Sequence, residues 1–335
     1  METKNNITWR IEEKVLPLKY SWKISRNSSE SKTNLFIYVG DEKCFGIGEA
    51  APNIRYREIP AELVSLFHSI EDLLPKNSET PVTELANWLE NNKIPNALRF
   101  AIESAYVHFI CTKRNISVQD FFGLPTSDRV ATSFSLPIMP VEKLGNFITE
   151  NNLQRFPYIK VKINKEEGFE ILSEVAKYIS KPLIIDPNES FTDVEELLKF
   201  SQKINDFNIL MLEQPMPAHL TEEYKYLKSK SLFPVFADES MTDMADISAL
   251  KEQFHGVNMK LMKAGGYIRG ITQLKMAQQM GLKTMVGCMV ETSLGIGSAM
   301  NLGALAQFAD LDGFLILQHD PFDLLAEKQG FLQKV

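Results

Sequence analysis

Three carboxylates and three lysines recur at nearly even spacing through the second half of the chain. Lys160 and Lys162 are followed by Asp186, Glu213, Asp238 and Lys260, with 22 to 27 residues between successive members after Lys162. Each falls at or near the end of a short apolar run. That interval is what one strand, one helix and two short loops consume, so a repeated strand and helix unit carries all six side chains to one rim. Hard oxygen donors from separate strands, with no histidine or cysteine among them, suit Mg²⁺, which keeps waters and accepts substrate oxygens. Such an ion polarises a bound carboxylate or carbonyl while a neighbouring carbon loses its proton. A lysine serves as base only when burial or an adjacent cation lowers its pKa, and Lys160 stands beside Lys162 for that purpose. Lys162 and Lys260 fall on the second and sixth candidate strands, across a ring from each other. Two bases facing one carbon from opposite sides are the layout of a racemase or epimerase. Taken singly these residues carry little, since a lone Lys-x-Lys is usually solvated and a single strand-terminal acid is usually a cap.

The elements that position them follow from the apolar pattern. Residues 182–185, 209–212 and 235–237 are too continuously apolar for a sheet with a wet face, so they read as parallel strands covered by helices. Leu172, Val175, Ala176 and Ile179 form a helical stripe between two of them, and Thr192 followed by Glu195 predicts a capping box on the next helix. About eight strands are predicted between Ala131 and Leu317, the seventh at 284–286 and the eighth around 310–317. That is an α/β fold, a (β/α)8 barrel or close variant, whose active sites sit at the carboxyl ends of the strands. Residues 1 to about 128 differ: strands over 7–12, 35–39 and 45–48, a turn at Gly40 and Asp41, then helices containing Leu63 to Ile70 and Leu98 to Phe109. Strands first and helices afterwards predict an α+β domain.

Bulk properties exclude several roles. The 335 residues carry a formal charge of -7 with a pI near 5.5, so nucleic acid or an anionic membrane has no electrostatic footprint to meet. No apolar run of about 18 residues occurs and METKNNITWRIEEK has no signal-like apolar segment, which predicts a cytoplasmic protein. Cys44, Cys111 and Cys288 are far apart and fit reduced buried thiols, and the scattered histidines make no zinc motif.

The ordered set YIKVKIN, IIDPNES, LEQP, FADES and NMKLMKAGG, with FGIGEAAP near residue 48, resembles the enolase superfamily in its muconate-lactonizing-enzyme subgroup, over essentially the whole chain. The resemblance implies an α+β capping domain (1–128, with the tail 319–335 packing back on it) and a modified TIM-like barrel (129–318). It also implies one Mg²⁺ per subunit on Asp186, Glu213 and Asp238, and acid/base work by Lys162 and Lys260 through an enolate, with Lys160 assisting electrostatically. The mandelate-racemase branch uses a late histidine where this chain has Lys260. DLDGF resembles the acid pair of dipeptide epimerases, implying that Asp310 and Asp312 hold a substrate ammonium. MVGCMVETSLG implies that backbone near Cys288 and Val290 lines the pocket, Ser135 being a weaker match and Arg26 lying in the covering amino-terminal loop. Pro137 departs from the pattern at the edge of the first barrel strand.

The expected activity is a Mg²⁺-dependent dipeptide epimerase inverting the α-carbon of the carboxyl-terminal residue. An o-succinylbenzoate synthase or a cycloisomerase of the same subgroup would use the same metal and lysines, but has no use for an acid pair aimed at an ammonium. A non-catalytic ligand-binding barrel predicts loss of a metal ligand or base, and none is missing. The expected partner is a small-molecule dipeptide, and the family implies a homo-oligomer. Trp22 and Ile24 lean toward hydrophobic dipeptides, with Ala-Glu left open.

Overall fold

The computed structural model describes residues 7–24 and 27–335, with the backbone alone for 21–24, 27 and 28. Arg26 lies outside the described residues, as do the side chains of Trp22 and Ile24. Three antiparallel strands open the chain, β1 (Thr8–Ile24), β2 (Asn27–Gly40) and β3 (Phe45–Ala50), in that order across the sheet. They outrun the sequence expectation because β1 and β2 stay paired beyond their apolar stretches, in register from Thr8↔Gly40 to Pro17↔Ser31. The sheet packs on the helix Asn96–Arg114, which is buried along most of its length. Gly46 and Gly48 permit that contact. A Cβ at either would collide with the helix backbone, at Ala105 and Phe109 for the first and at Ala101 for the second.

After β4 (Arg129–Ala131) comes a nearly closed parallel sheet of eight strands: β5 (Phe134–Leu136), β6 (Ile159–Lys162), β7 (Leu183–Asp186), β8 (Ile209–Glu213), β9 (Val235–Ala237), β10 (Gly256–Lys260), β11 (Lys283–Gly287) and β12 (Phe308–Asp310). This is the predicted α/β barrel beneath an amino-terminal α+β layer. Across the seam between its first and last strands, Ser133 N donates to Ala309 O at 3.1 Å. Side-chain direction alternates along each strand, so positions two apart share a face. The inward set begins with a floor of Tyr158, Ile184, Met211, Phe236 and Met285. Two residues further along, the same face carries Lys160, Asp186, Glu213 and Asp238. Outward residues such as Ile159, Val161 and Ile163 pack under the helices.

Two local expectations are corrected. The eighth strand ends at Asp310 rather than spanning 310–317, because the chain turns from Gly313 onward and only Leu317 makes an isolated bridge, to Leu18. The helix Val194–Lys203 is capped by Asp193, not Thr192; the Asp193 carboxylate accepts from the Glu195 and Glu196 amides at 2.8 and 3.0 Å, and a full negative charge suits the positive end of the helix. The tail forms β13 (Leu325–Lys328) and β14 (Phe331–Lys334), the latter antiparallel to β4, while Phe322 meets Phe36 of β2 with ring centroids 5.1 Å apart. No helix among the described residues is long and apolar enough to cross a membrane.

Candidate active site

The barrel register brings the spaced residues to one level. Lys162 pairs with Asp186, Lys260 with Gly287, and Gly287 in turn with Asp310. At the centre is Lys160, 3% exposed, whose Nζ lies 3.1 Å from Asp186 Oδ2, 2.8 Å from Glu213 Oε2 and 3.0 Å from Asp310 Oδ2. Lys162 Nζ donates to Asp186 Oδ2 at 2.8 Å and to Asn188 Oδ1 at 3.1 Å. Opposite it, Lys260 Nζ donates to Asp238 Oδ2 at 2.8 Å. Their strands, β6 and β10, are four apart in a sheet of eight, and both side chains line one cavity of about 1090 Å³ between the barrel mouth and the antiparallel layer.

Burial dominates the electrostatics here, and neighbours decide its outcome. Burial alone would lower Lys160, but Asp186, Asp310 and Glu213 outweigh it and hold the ammonium well above its ordinary pKa. Lys260 is likewise raised, burial being overcome by Asp238. Lys260 thus has an acid, and no depressing cation, as its nearest charged neighbour. Asp186 shows the reverse balance: burial is outweighed by Lys160 and Lys162, bringing it to about 2. Glu239, beside Asp238, is raised to about 8 by burial and then by Asp238.

Among the described residues, no three acidic, histidine or cysteine side chains converge on one point at ligand distance. Asp186, Glu213 and Asp238 each lie within 3.1 Å of a lysine ammonium. The donor set nevertheless fits a hard cation. Glu213 Oε2 is fully buried with no hydrogen bond, Lys160 being near it but outside hydrogen-bonding angle, and its other oxygen accepts from Asn258 Nδ2 at 2.8 Å. Glu239 Oε2 is also buried without a donor. Five buried acids (Asp186, Glu213, Asp238, Asp310 and Asp312) and the half-buried Glu239 face four buried lysines (Lys160, Lys162, Lys260 and Lys263).

Asp310 and Asp312 are both buried, the first at the end of β12 and the second in the following turn. Asp310 Oδ1 accepts from Ser133 Oγ at 2.5 Å and from Ser135 Oγ at 3.3 Å, while Asp312 Oδ2 accepts from the Ser135 amide at 2.5 Å. Burial and then Asp310 raise Asp312 to about 7. Ser135, Cys288 and Val290 line the same cavity. Burial pushes the Cys288 thiol well up, so it is no nucleophile.

Sequence spacing missed the residues that brace this ring. Lys263, which reads as a loop residue, is buried in a short helix and donates to Asp238 Oδ1 at 2.5 Å and to the Asp238 carbonyl. Gln214 takes a left-handed φ of 37° and its Oε1 accepts from the Asp238 and Ser240 amides. Asn188 and Glu189 are also left-handed, and Glu189 Oε2 meets Arg55 of the antiparallel layer at 2.8 Å. The LEQP, IIDPNES and NMKLMKAGG strings contain these positions, but their spacing gives them no role.

A barrel whose mouth carries acids and lysines from successive strands, roofed by an α+β layer, is the architecture of the enolase superfamily. The chain belongs to that group: the family described as enolase C-terminal domain-like matches residues 145–329. It is 35% identical to the L-Ala-D/L-Glu epimerase of Bacteroides thetaiotaomicron over 92% of this chain and 80% of that one, and 30% identical to the L-Ala-D/L-amino acid epimerase of Flavobacterium johnsoniae over 91% and 90%. The dipeptide epimerase of Methylococcus capsulatus, solved with Mg and L-Arg-D-Lys, shares the fold at a TM-score of 0.87 and 24% identity, over 98% of this chain and 97% of that one. The protein is an enzyme of the racemase and epimerase kind, an isomerase.

Proposed function

We propose that the protein is a Mg²⁺-dependent dipeptide epimerase that inverts the α-carbon of the carboxyl-terminal residue by proton transfer between Lys162 and Lys260. The observation that carries this reading is the opposition of two buried lysines across one cavity, on strands two and six of the barrel. In its neutral form one lysine takes the α-proton from its face of the substrate. The other, as ammonium, delivers a proton to the opposite face, and the two exchange roles for the reverse reaction. Lys160 stays charged at the centre and draws the substrate carboxylate toward the floor of the site. Asp310 and Asp312 receive the free ammonium group, with Ser133 and Ser135 orienting their oxygens. Asp186, Glu213 and Asp238 would hold the metal, which supplies positive charge to the substrate carboxylate as the α-carbon becomes electron-rich.

The division into a capping domain (1–128), a barrel (129–318) and a tail (319–335) is part of the same proposal. So are a cytoplasmic location, in keeping with the three free cysteines, and self-association as a homo-oligomer. The test is a dipeptide library incubated in ²H₂O with Mg²⁺ and read by mass spectrometry. Deuterium is expected at the α-carbon of the carboxyl-terminal residue, and chelation of the metal is expected to stop its uptake. Silence across the library with turnover of a cyclohexadiene carboxylate would transfer the enzyme to the lyases of the subgroup.

A further inference from the structure

The cavity over the reaction centre has five cationic side chains on its walls: Lys32, Arg55, Lys160, Lys162 and Lys260. Four are neutralised by the protein itself. Lys160 faces three acids, Lys162 and Lys260 have Asp186 and Asp238 at 2.8 Å, and Arg55 has Glu189 at 2.8 Å. Lys32 is the exception among the described residues, with no hydrogen bond and no ion pair; burial is the one influence on its titration, which it lowers. Residues 21–29 include no acid that could serve it, and Glu30, two positions along the strand, is exposed.

Lys32 is also well anchored. It projects from β2 directly across from Leu16, which is 4% exposed and packs with Ile316 and Leu317 of the barrel. The ammonium is therefore carried on a fixed strand. A partly desolvated charge without a counterion is unfavourable, and an anion entering the cavity would offset that.

The epimerase reading fixes which anion that is. A dipeptide's carboxylate goes to the centre beside Lys160 and its ammonium to Asp310 and Asp312, so the remaining charge it can bring is on a side chain. Resting on that reading, we propose that Lys32 is a specificity determinant that selects dipeptides bearing an acidic side chain. This goes against the apolar lean of Trp22 and Ile24.

The test compares kcat/KM for α-deuteration by the full-length enzyme with Mg²⁺, using L-Ala-L-Glu against its amide isostere L-Ala-L-Gln, and L-Glu-L-Ala against L-Gln-L-Ala. The wild type is expected to prefer the acid over the amide by about 10- to 100-fold in one of the two pairs, which identifies the residue that is read. K32M should lower turnover of the acid more than of the amide, collapsing that ratio toward one mainly through KM, and K32R should restore it in part. Equal use of acid and amide by the wild type, or a ratio untouched in K32M, would overturn the role of Lys32 while leaving the epimerase intact. Absence of exchange with every dipeptide would remove both together.

Discussion

Each proposed base donates to a carboxylate 2.8 Å away, and at Lys260 that carboxylate outweighs burial and holds the ammonium above its ordinary pKa. Asp186 and Asp238, which accept from these amines, are also two of the three carboxylates that would hold the metal, whose positive charge would be supplied to the substrate carboxylate. Lys162→Ala and Lys260→Ala should each reduce epimerisation by about 10²- to 10⁴-fold. The single-lysine variants should still exchange the α-proton of one epimer without inverting it, which ¹H NMR of each pure epimer in ²H₂O would reveal; full activity of either variant would remove the two-base scheme. A second prediction concerns Asp312. Because its carboxyl is raised to about 7, its negative charge is fully present only above that pH. Affinity for a dipeptide ammonium should thus strengthen, and KM fall, as pH climbs through about 7. Asp312→Asn should raise KM and flatten that profile, and an unchanged profile would assign the ammonium to other groups.

Among the elements, the helix Asn96–Arg114 joins the antiparallel layer to the barrel through several side chains, Asn96, Arg99 and His108 among them, and through one buried acid. Glu103 Oε1 accepts from the Ile268 amide at 3.0 Å, at the start of the helix Tyr267–Gln279, and burial raises its pKa to about 7. Between the ordinary carboxyl value of 4.5 and about 7, the folded protein keeps a proton that the unfolded chain has released. Stability contributed by this group therefore falls as pH rises across that window and levels off above it, by an amount on the order of 3 kcal/mol. Glu103→Gln keeps an oxygen for the Ile268 amide and should abolish that part of the slope, measured as the difference between wild type and variant in urea unfolding at pH 5 and pH 8. Parallel curves would clear Glu103. Gly266 explains why the acid can come so near: its φ is 151°, and a Cβ there would strike the Glu103 carboxylate. Gly266→Ala is expected to lower the thermal midpoint measurably, since the layer and the barrel would have to separate locally. A variant as stable as the wild type would mean that the interface yields at no cost.

At the scale of the whole molecule, the barrel and its ring of acids and lysines were legible in the sequence because they are repetitive. The continuous apolar runs that end in Asp186, Glu213 and Asp238 recur from strand to strand, whereas Gln214, Asn258 and Lys263 act through hydrogen bonds particular to their own positions, which leave no periodic trace. The turn that carries Asp312 off the last strand was equally hidden, since an extended Asp-x-Asp and a turned one share the same letters. Least legible was the seam between the two parts. Glu49 of β3 reaches the barrel loop 243 residues later, accepting from the Thr292 hydroxyl at 2.6 Å, the Thr292 amide at 2.9 Å and the Gly295 amide at 2.9 Å. Asn34 of β2 donates to Glu49 at 2.8 Å and to the Val290 carbonyl at 3.0 Å. One buried carboxylate thus ties the roof to the loop whose Cys288 and Val290 line the cavity. Removing it strands several buried donors at once. Glu49→Ala should cost about 3 kcal/mol of stability. It should also raise KM more than it lowers kcat when assayed well below the thermal midpoint, because the loop would lose its support while the lysines keep theirs. Glu49→Gln, which retains one acceptor oxygen, should fall between the two. Wild-type stability together with an unchanged KM in Glu49→Ala would show that the loop holds its place without the roof.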